Sequence, residues 1–311
     1  MNELDRLEAC LPEWVETSRR ESAKGTVATY IPELSKSPKH RLGIHLIDAG
    51  GRSVSAGDAQ APFTMQSISK VFTLILALMD HGEEAVFSKV GMEPTGDNFN
   101  SIMKLELVQP AIPFNPLINA GAIVVSSMIQ GDSAANKSAR ILEFFRELAG
   151  NPSLDYNLEV YRSEAATGHL NRSMAYFLLD KGILGCGVEE VLDIYFRHCS
   201  IEVTCADLAR MALVLAKDGT DPITGKKLIP RRYVQIAKTF MVTCGMYNGS
   251  GEFAIGAGLP AKSGVSGGIL TLVPGRLGIG VVGPALNPKG NSIAGVHLLE
   301  RLSSEFNWSI F

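Results

Sequence analysis

The alternation of apolar and polar positions divides this chain into ends that read as strand and a middle that reads as helix. A charged, helix-period segment covers roughly residues 2 to 20. "RLGIHLID" and "RSVSAGD" then alternate with period two around the glycine turn "AGG", the pattern of an antiparallel hairpin. "VFTLILALM" follows directly on "SISK" and reads as a buried helix. Residues 91 to 118 carry Pro94, Pro110, Pro113 and Pro116 and read mostly as ordered loop. From Asn119 to about Val242 the period is helical. "SARILEFFRELAG" ends on Gly150 as its C-terminal cap, and "VEEVLDIYFRHC" is a second clear case. "TCADLARMALVLAKDG" opens with Thr204 and Asp207 in the spacing of a capping box and ends at Gly219. After "GLPAKSG" strands return as "GILTLVP" and "RLGIGVVGP". An amphipathic helix, "SIAGVHLLERLSSEF", closes the chain.

Such a chain folds as α+β. An antiparallel sheet is built from both chain ends and flanked by helices, and the middle forms a helical block. The expected division of the single domain 1–311 is a sheet-containing part at about 20–70 and 250–311 and a helical block at about 71–249. The cleft between them is the default site.

Composition narrows the function. Hydrophobic residues make up 46% of the 311 residues and charged ones 20%, with a net charge of -3. That is a globular composition without the basic surplus that nucleic acid binding demands. The first 25 residues are charged throughout and hold no apolar signal core. "GGILTLVPGRLGIGVVGPAL" is broken at its centre by Pro274, Gly275 and Arg276, so it reads as two buried strands and not as a membrane helix. The five cysteines are scattered and form no CxxC pair. Together these features point to free thiols, a cytoplasmic location, and neither membrane nor nucleic acid as partner.

Several motifs fail their context. "GIGVVG", Gly278 to Gly283, matches a dinucleotide fingerprint, but it lies inside a strand pattern and is followed by Pro284. The six histidines show no ligand spacing, so no metal is expected. Two S-x-x-K patterns occur, at Ser67–Lys70 and at Ser101–Lys104. Only Lys70 adjoins a buried helix, where a lysine needs a reason. On a helix Lys70 shares a face with Ser67, while Ser69 points about 100° away from Lys70 and is left to packing or hydrogen bonding. A lysine close to a serine can take the hydroxyl proton when neutral. Lys262-Ser263-Gly264 lies late in the chain, directly before a strand. S-x-x-K followed by K-[ST]-G is the combination of the penicillin-recognising serine hydrolases. Their third element, S-x-N, is absent from this chain. A lysine at a helix surface and a basic residue in a glycine turn remain the bland alternatives.

"YIPELSK", "MQSISK", "FNPLINAGAI", "YRSEAATGHLNRSMAYFL", "LDIYFRHCSIEVTC", "CGMYNGSGEFAIGAGLPAKSGVSGGI" and "GNSIAGVHLLE" together resemble the serine-dependent glutaminase family, in its compact bacterial form, over roughly residues 25 to 305. The resemblance implies a β-lactamase/penicillin-binding-protein-like fold, hydrolysis of L-glutamine to L-glutamate and ammonia, no cofactor, and a homodimer or homotetramer. It implies Ser67 as nucleophile with Lys70 as its activator, and Tyr247 and the Val265 backbone N–H as further catalytic groups. Tyr30, Ser67, Asn119, Glu164, Asn171, Tyr195, Tyr247 and Val265 would bind the substrate. Glu164 would answer the α-ammonium, and amides and phenols the α-carboxylate. Taken singly, Asn119 and Asn171 could be helix caps, Tyr195 core and Glu164 a solvated helix residue. The competing reading is another serine acyl hydrolase of this fold, an esterase or penicillin-recognising protein.

Overall fold

The first strands of the chain pair with its last, as the split pattern of the sequence requires. The computed structural model describes residues 3–96, 101 and 111–311. Helix α1 (Glu3–Arg19) precedes the hairpin β1 (Gly43–Asp48) and β2 (Ser53–Gly57). Strands β5 (Ala261–Ser263), β6 (Gly268–Val273) and β7 (Leu277–Val282) come late. The sheet order is β2-β1-β7-β6-β5, antiparallel throughout. The join is β1 to β7, with Gly43 opposite Val282 and Asp48 opposite Leu277.

Helices fill the middle. They are α2 (Ser69–Phe87, interrupted at Gly82), α3 (Asn119–Met128), α4 (Ala134–Ala149), α5 (Leu158–Thr167), α6 (His169–Asp180) and α7 (Val188–Cys199). Then come α8 (Cys205–Ala216), α9 (Arg231–Thr243) and α10 (Ser250–Gly256), with α11 (Ile293–Phe306) at the end. The caps expected from sequence are present. Gly150 closes α4 at φ 61°, and Thr204 and Asp207 form the capping box of α8. One further pair has no counterpart in the sequence pattern: β3 (Phe63–Thr64), ahead of the helical block, pairs with β4 (Glu202–Val203) within it. Lys104 of the second S-x-x-K lies outside the described residues.

Two cores meet at the sheet. Ile44, Leu46, Ile269, Ile279 and Val281 face α1 and α11. Leu270, Leu272 and Val282 face the larger core of the helical block. Each such side chain, fully buried, contributes roughly 2 kcal/mol of hydrophobic stabilisation. The "GIGVVG" glycines are explained here. A Cβ on Gly278 would stand 2.0 Å from the Ala209 carbonyl oxygen, and one on Gly280 would stand 2.2 Å from that of Cys205. Helix α8 therefore lies directly on the backbone of β7, which no larger residue allows. No helix among the described residues is long and apolar enough to cross a membrane.

Candidate active site

Ser67 is not on the helix proper. It sits in a short 3-10 turn, Gln66–Ile68, that runs into α2 at Ser69. Gln66 adopts φ 48°, an uncommon backbone for a residue with a Cβ. Lys262, Ser263 and Gly264 also differ from expectation, because Lys262 and Ser263 belong to β5 itself and do not merely precede a strand. The placement has a steric cause. A Cβ on Gly264 would stand 2.6 Å from the Met65 carbonyl oxygen and 3.4 Å from Cβ of Gln66. Glycine at this position lets the end of β5 press against the Ser67 turn, and it carries Val265 to the same place. Val265 packs with Ala28, Ile31, Val160 and Tyr247.

Lys70 is wholly buried (0% exposed) in the first turn of α2. Its Nζ donates to Asn119 Oδ1 at 2.6 Å and to the Leu117 carbonyl at 3.5 Å. Asn119, and not Ser67, takes the Lys70 amine's short hydrogen bond. Burial pushes the Lys70 ammonium down to about 8, against the pull of Cys199 and Glu164. A buried amine in that range is a usable base near neutral pH.

Asn119 is positioned by the "FNPLINAG" loop. Asn115 Oδ1 accepts from the backbone N–H of Leu117 (3.0 Å) and Ile118 (3.2 Å), which turns the chain into α3. A Cβ on Gly121 would stand 2.0 Å from the Asn115 carbonyl oxygen, so glycine lets this loop close on the helix. Asn119 Nδ2 then donates to Asn171 Oδ1 at 3.0 Å. Lys70, Asn119 and Asn171 thus form one polar row across α2, α3 and α6.

Glu164, expected on a helix, is buried at 6% exposure and not solvated. Burial raises its carboxyl to about 7, while Gln66 and Lys70 pull the other way. Gln66 Nε2 reaches Glu164 Oε2 at 3.4 Å. Tyr30, Ile31, Asn119, Glu164, Thr167 and Asn171 line one cleft, with Tyr30 at its mouth and 55% exposed. Asn115, Leu117, Ile118, Cys244, Tyr247 and Asn248 line a second hollow. Ile118 and Asn119, adjacent in sequence, wall one each. Tyr195 is core, as the bland alternative held, but its ring also faces the Lys70 amine at 5.8 Å. Burial pushes the Tyr247 phenol up, and the Ser67 side chain works against that rise. Tyr247 has φ 52°, a second uncommon backbone at this site.

The structure therefore holds Lys70, Asn119 and Asn171 in one hydrogen-bonded row and Gln66 with Glu164 in a second pair, the two related by the charges of Lys70 and Glu164, with Ser67 next to Gln66 in the chain and Tyr30, Tyr195, Tyr247 and Val265 around them. Sequence reasoning missed two contributors. Gln66 joins the Ser67 turn to Glu164, and its position beside Ser67 is its only signal in the sequence. Lys262 belongs to the K-S-G triplet, whose sequence gives it no contact; its Nζ lies 4.3 Å from the Tyr247 ring centroid and donates to the Ser263 carbonyl at 2.6 Å. Burial, and next the charge of Lys70, push the Lys262 amine well below its ordinary value.

A family model described as Glutaminase matches residues 25–311. A glutaminase of Alkaliphilus metalliredigens is 58% identical over 297 residues, covering 96% of this chain and 97% of that protein. A Clostridium botulinum glutaminase is 55% identical with the same coverage. Among solved structures, a Bacillus glutaminase crystallised in 4.3 M NaCl superposes with a TM-score of 0.92 at 42% identity, over 98% of this chain and 99% of that one. A covalent complex of the Bacillus subtilis glutaminase with 5-oxo-L-norleucine, formed by reaction with 6-diazo-5-oxo-L-norleucine, gives 0.90 at 41% identity, over 98% and 99%. With matches of this extent along nearly its whole length, the chain belongs to the glutaminase family.

Proposed function

We propose that this chain hydrolyses L-glutamine to L-glutamate and ammonia through a glutamyl-Ser67 intermediate. One observation carries the reading: a row of polar groups runs from the buried Lys70 through Asn119 to the half-buried Asn171, close to a serine whose preceding residue contacts a buried carboxylate. That arrangement offers a base and a nucleophile close behind the cleft whose wall carries a charged anchor, Glu164, beside Asn119 and Asn171. The substrate's α-ammonium meets Glu164, and its α-carboxylate meets the amides of Asn119 and Asn171 with Tyr30 at the mouth. Anchoring that end leaves the side-chain amide at Ser67.

Ser67 Oγ attacks the amide carbon as the neutral Lys70 amine takes its proton. The carbonyl oxygen becomes an oxyanion held by the backbone N–H groups of Ser67 and Val265. Collapse breaks the C–N bond. The proton on Lys70 passes to the leaving nitrogen, with Tyr247 beside Ser67 as a second route, and ammonia departs. Water then attacks the glutamyl ester, gives its proton back through the same groups, and releases glutamate. The covalent complex of the Bacillus subtilis enzyme with 5-oxo-L-norleucine supports a covalent route for a relative of this chain. The test is ammonia release from glutamine and from asparagine. Ser67→Ala is expected to lose at least about a thousandfold in kcat, the scale for losing a covalent nucleophile. An unchanged rate would rule the reading out.

A further inference from the structure

One buried histidine next to the Ser67 turn has no part in the chemistry above. His198 lies on α7 and is 1% exposed. Its Nδ1 is 2.7 Å from Ser69 Oγ, and its Nε2 is 3.0 Å from Ser126 Oγ. Ser69 begins α2, and its Oγ lies 2.6 Å from the Gln66 carbonyl oxygen. Ser126 is on α3, with its Oγ 2.7 Å from the Ala122 carbonyl oxygen. A continuous row, Gln66–Ser69–His198–Ser126–Ala122, therefore ties the turn that carries Ser67 to the helix that carries Asn119.

The row has four links. Burial, and next the Lys70 charge, push the imidazole down to about 3, so it is neutral and holds one N–H. With two serine hydroxyls that makes three protons, and one terminal link is empty. If Nε2 holds the proton, Nδ1 takes its hydrogen from Ser69 at 2.7 Å, far closer than the Cys199 thiol at 3.9 Å, and Ser69 Oγ and the Gln66 oxygen then face each other at 2.6 Å with no hydrogen between them. If Nδ1 holds it, Ser69 donates to Gln66 and the empty link falls at Ala122. The first arrangement empties the shortest contact of the row. It also loosens Gln66, whose left-handed backbone persists only where its surroundings hold it. The Gln66 carbonyl already takes the Ser69 N–H, so the hydroxyl is the second hold on that strained residue.

We propose that His198, as the Nδ1–H tautomer, is a positioning residue for Ser67: it donates to Ser69 Oγ, commits the Ser69 hydroxyl to the Gln66 carbonyl, and so fixes the turn ahead of the nucleophile. The proposal rests on the reading of Ser67 as nucleophile. It also gives Ser69 the hydrogen-bonding role that the sequence left open.

An asparagine at 198 puts its amide nitrogen where Nδ1 stands, whereas a glutamine reaches the Nε2 position. His198→Asn is expected to keep kcat within about threefold of wild type, and His198→Gln to lose roughly tenfold in kcat at unchanged KM, the scale of one positioning hydrogen bond. Ser69→Ala is expected to lose as much as His198→Gln, and the double variant no more than either alone. Equal activity of the Asn and Gln variants, or a wild-type kcat in Ser69→Ala, overturns the proposal. Should His198→Gln fail to fold, nitrogen-15 NMR of the wild-type histidines decides. A protonated Nδ1 at His198 is expected, and a protonated Nε2 overturns it. Ser67→Ala, assayed alongside, separates the two readings. If it keeps its rate, the nucleophile assignment fails. If it is inactive while His198→Gln turns over normally, only the positioning role fails.

Discussion

Burial acts on Lys70 and Glu164 in opposite directions, and both shifts set the pH behaviour of the proposed reaction. Lys70 accepts a proton only when neutral, above about 8. Glu164 holds an ammonium only when ionised, above about 7. Both requirements fail as pH falls, so kcat/KM should rise from about pH 6 to about pH 9 on two ionisations. In Glu164→Gln the lower step should vanish from the pH–rate profile while KM rises. A profile that still shows both steps would remove Glu164 from the account. The same shift bears on stability. The folded-state pKa of Glu164 is raised, so the stability it contributes is present below the ordinary 4.5 and is lost as pH rises through about 7. Glu164→Gln should therefore stabilise the fold at pH 8 by roughly 1–3 kcal/mol and leave it unchanged at pH 4, measured by urea unfolding.

At the scale of elements, the site depends on close backbone approaches that only glycine permits. The meeting of β5 with the Ser67 turn is one. Gly264→Ala places a methyl 2.6 Å from the Met65 carbonyl oxygen. The end of β5 must retreat and take the Val265 N–H with it. We expect kcat to fall by about a hundredfold with little change in KM, the scale for losing an oxyanion donor. Steady-state kinetics with glutamine test this, and a wild-type kcat would detach Val265 from the mechanism. Much of this level was legible in the sequence. The hairpin, the buried α2 run and the capping box of α8 all carry their signal within a few residues. The Gln66 turn was not legible, because glutamine has no local preference for a left-handed backbone and the turn is held by packing from β5. The Lys70–Asn119 contact spans 49 positions and shows only in the fold. The two-residue strands β3 and β4 are too short to carry any pattern.

For the molecule as a whole, the decisive contact is between β7 and α8, where the sheet and the helical block share a boundary. Gly280→Ala sets a methyl 2.2 Å from the Cys205 carbonyl oxygen, inside the seam between the two cores. We expect it to lose about 3 kcal/mol or more of stability, read as a lower midpoint in denaturant. A midpoint equal to wild type would mean that α8 does not rest on β7 as described. The arrangement of a sheet from both chain ends around a helical block was legible because strand and helix periods segregate along the chain. Which groups meet in the cleft was legible only through the family resemblance, since the site draws on α2, α3, α5, α6, α7 and β5, which are far apart in sequence.

In the proposed reaction Ser67 carries the acyl group. The most direct measurement is mass spectrometry of the protein after reaction with 6-diazo-5-oxo-L-norleucine, followed by peptide mapping. One 5-oxo-norleucyl adduct is expected, on the peptide containing Ser67, and none in Ser67→Ala. An adduct on another residue, or an undiminished adduct in Ser67→Ala, would contradict it.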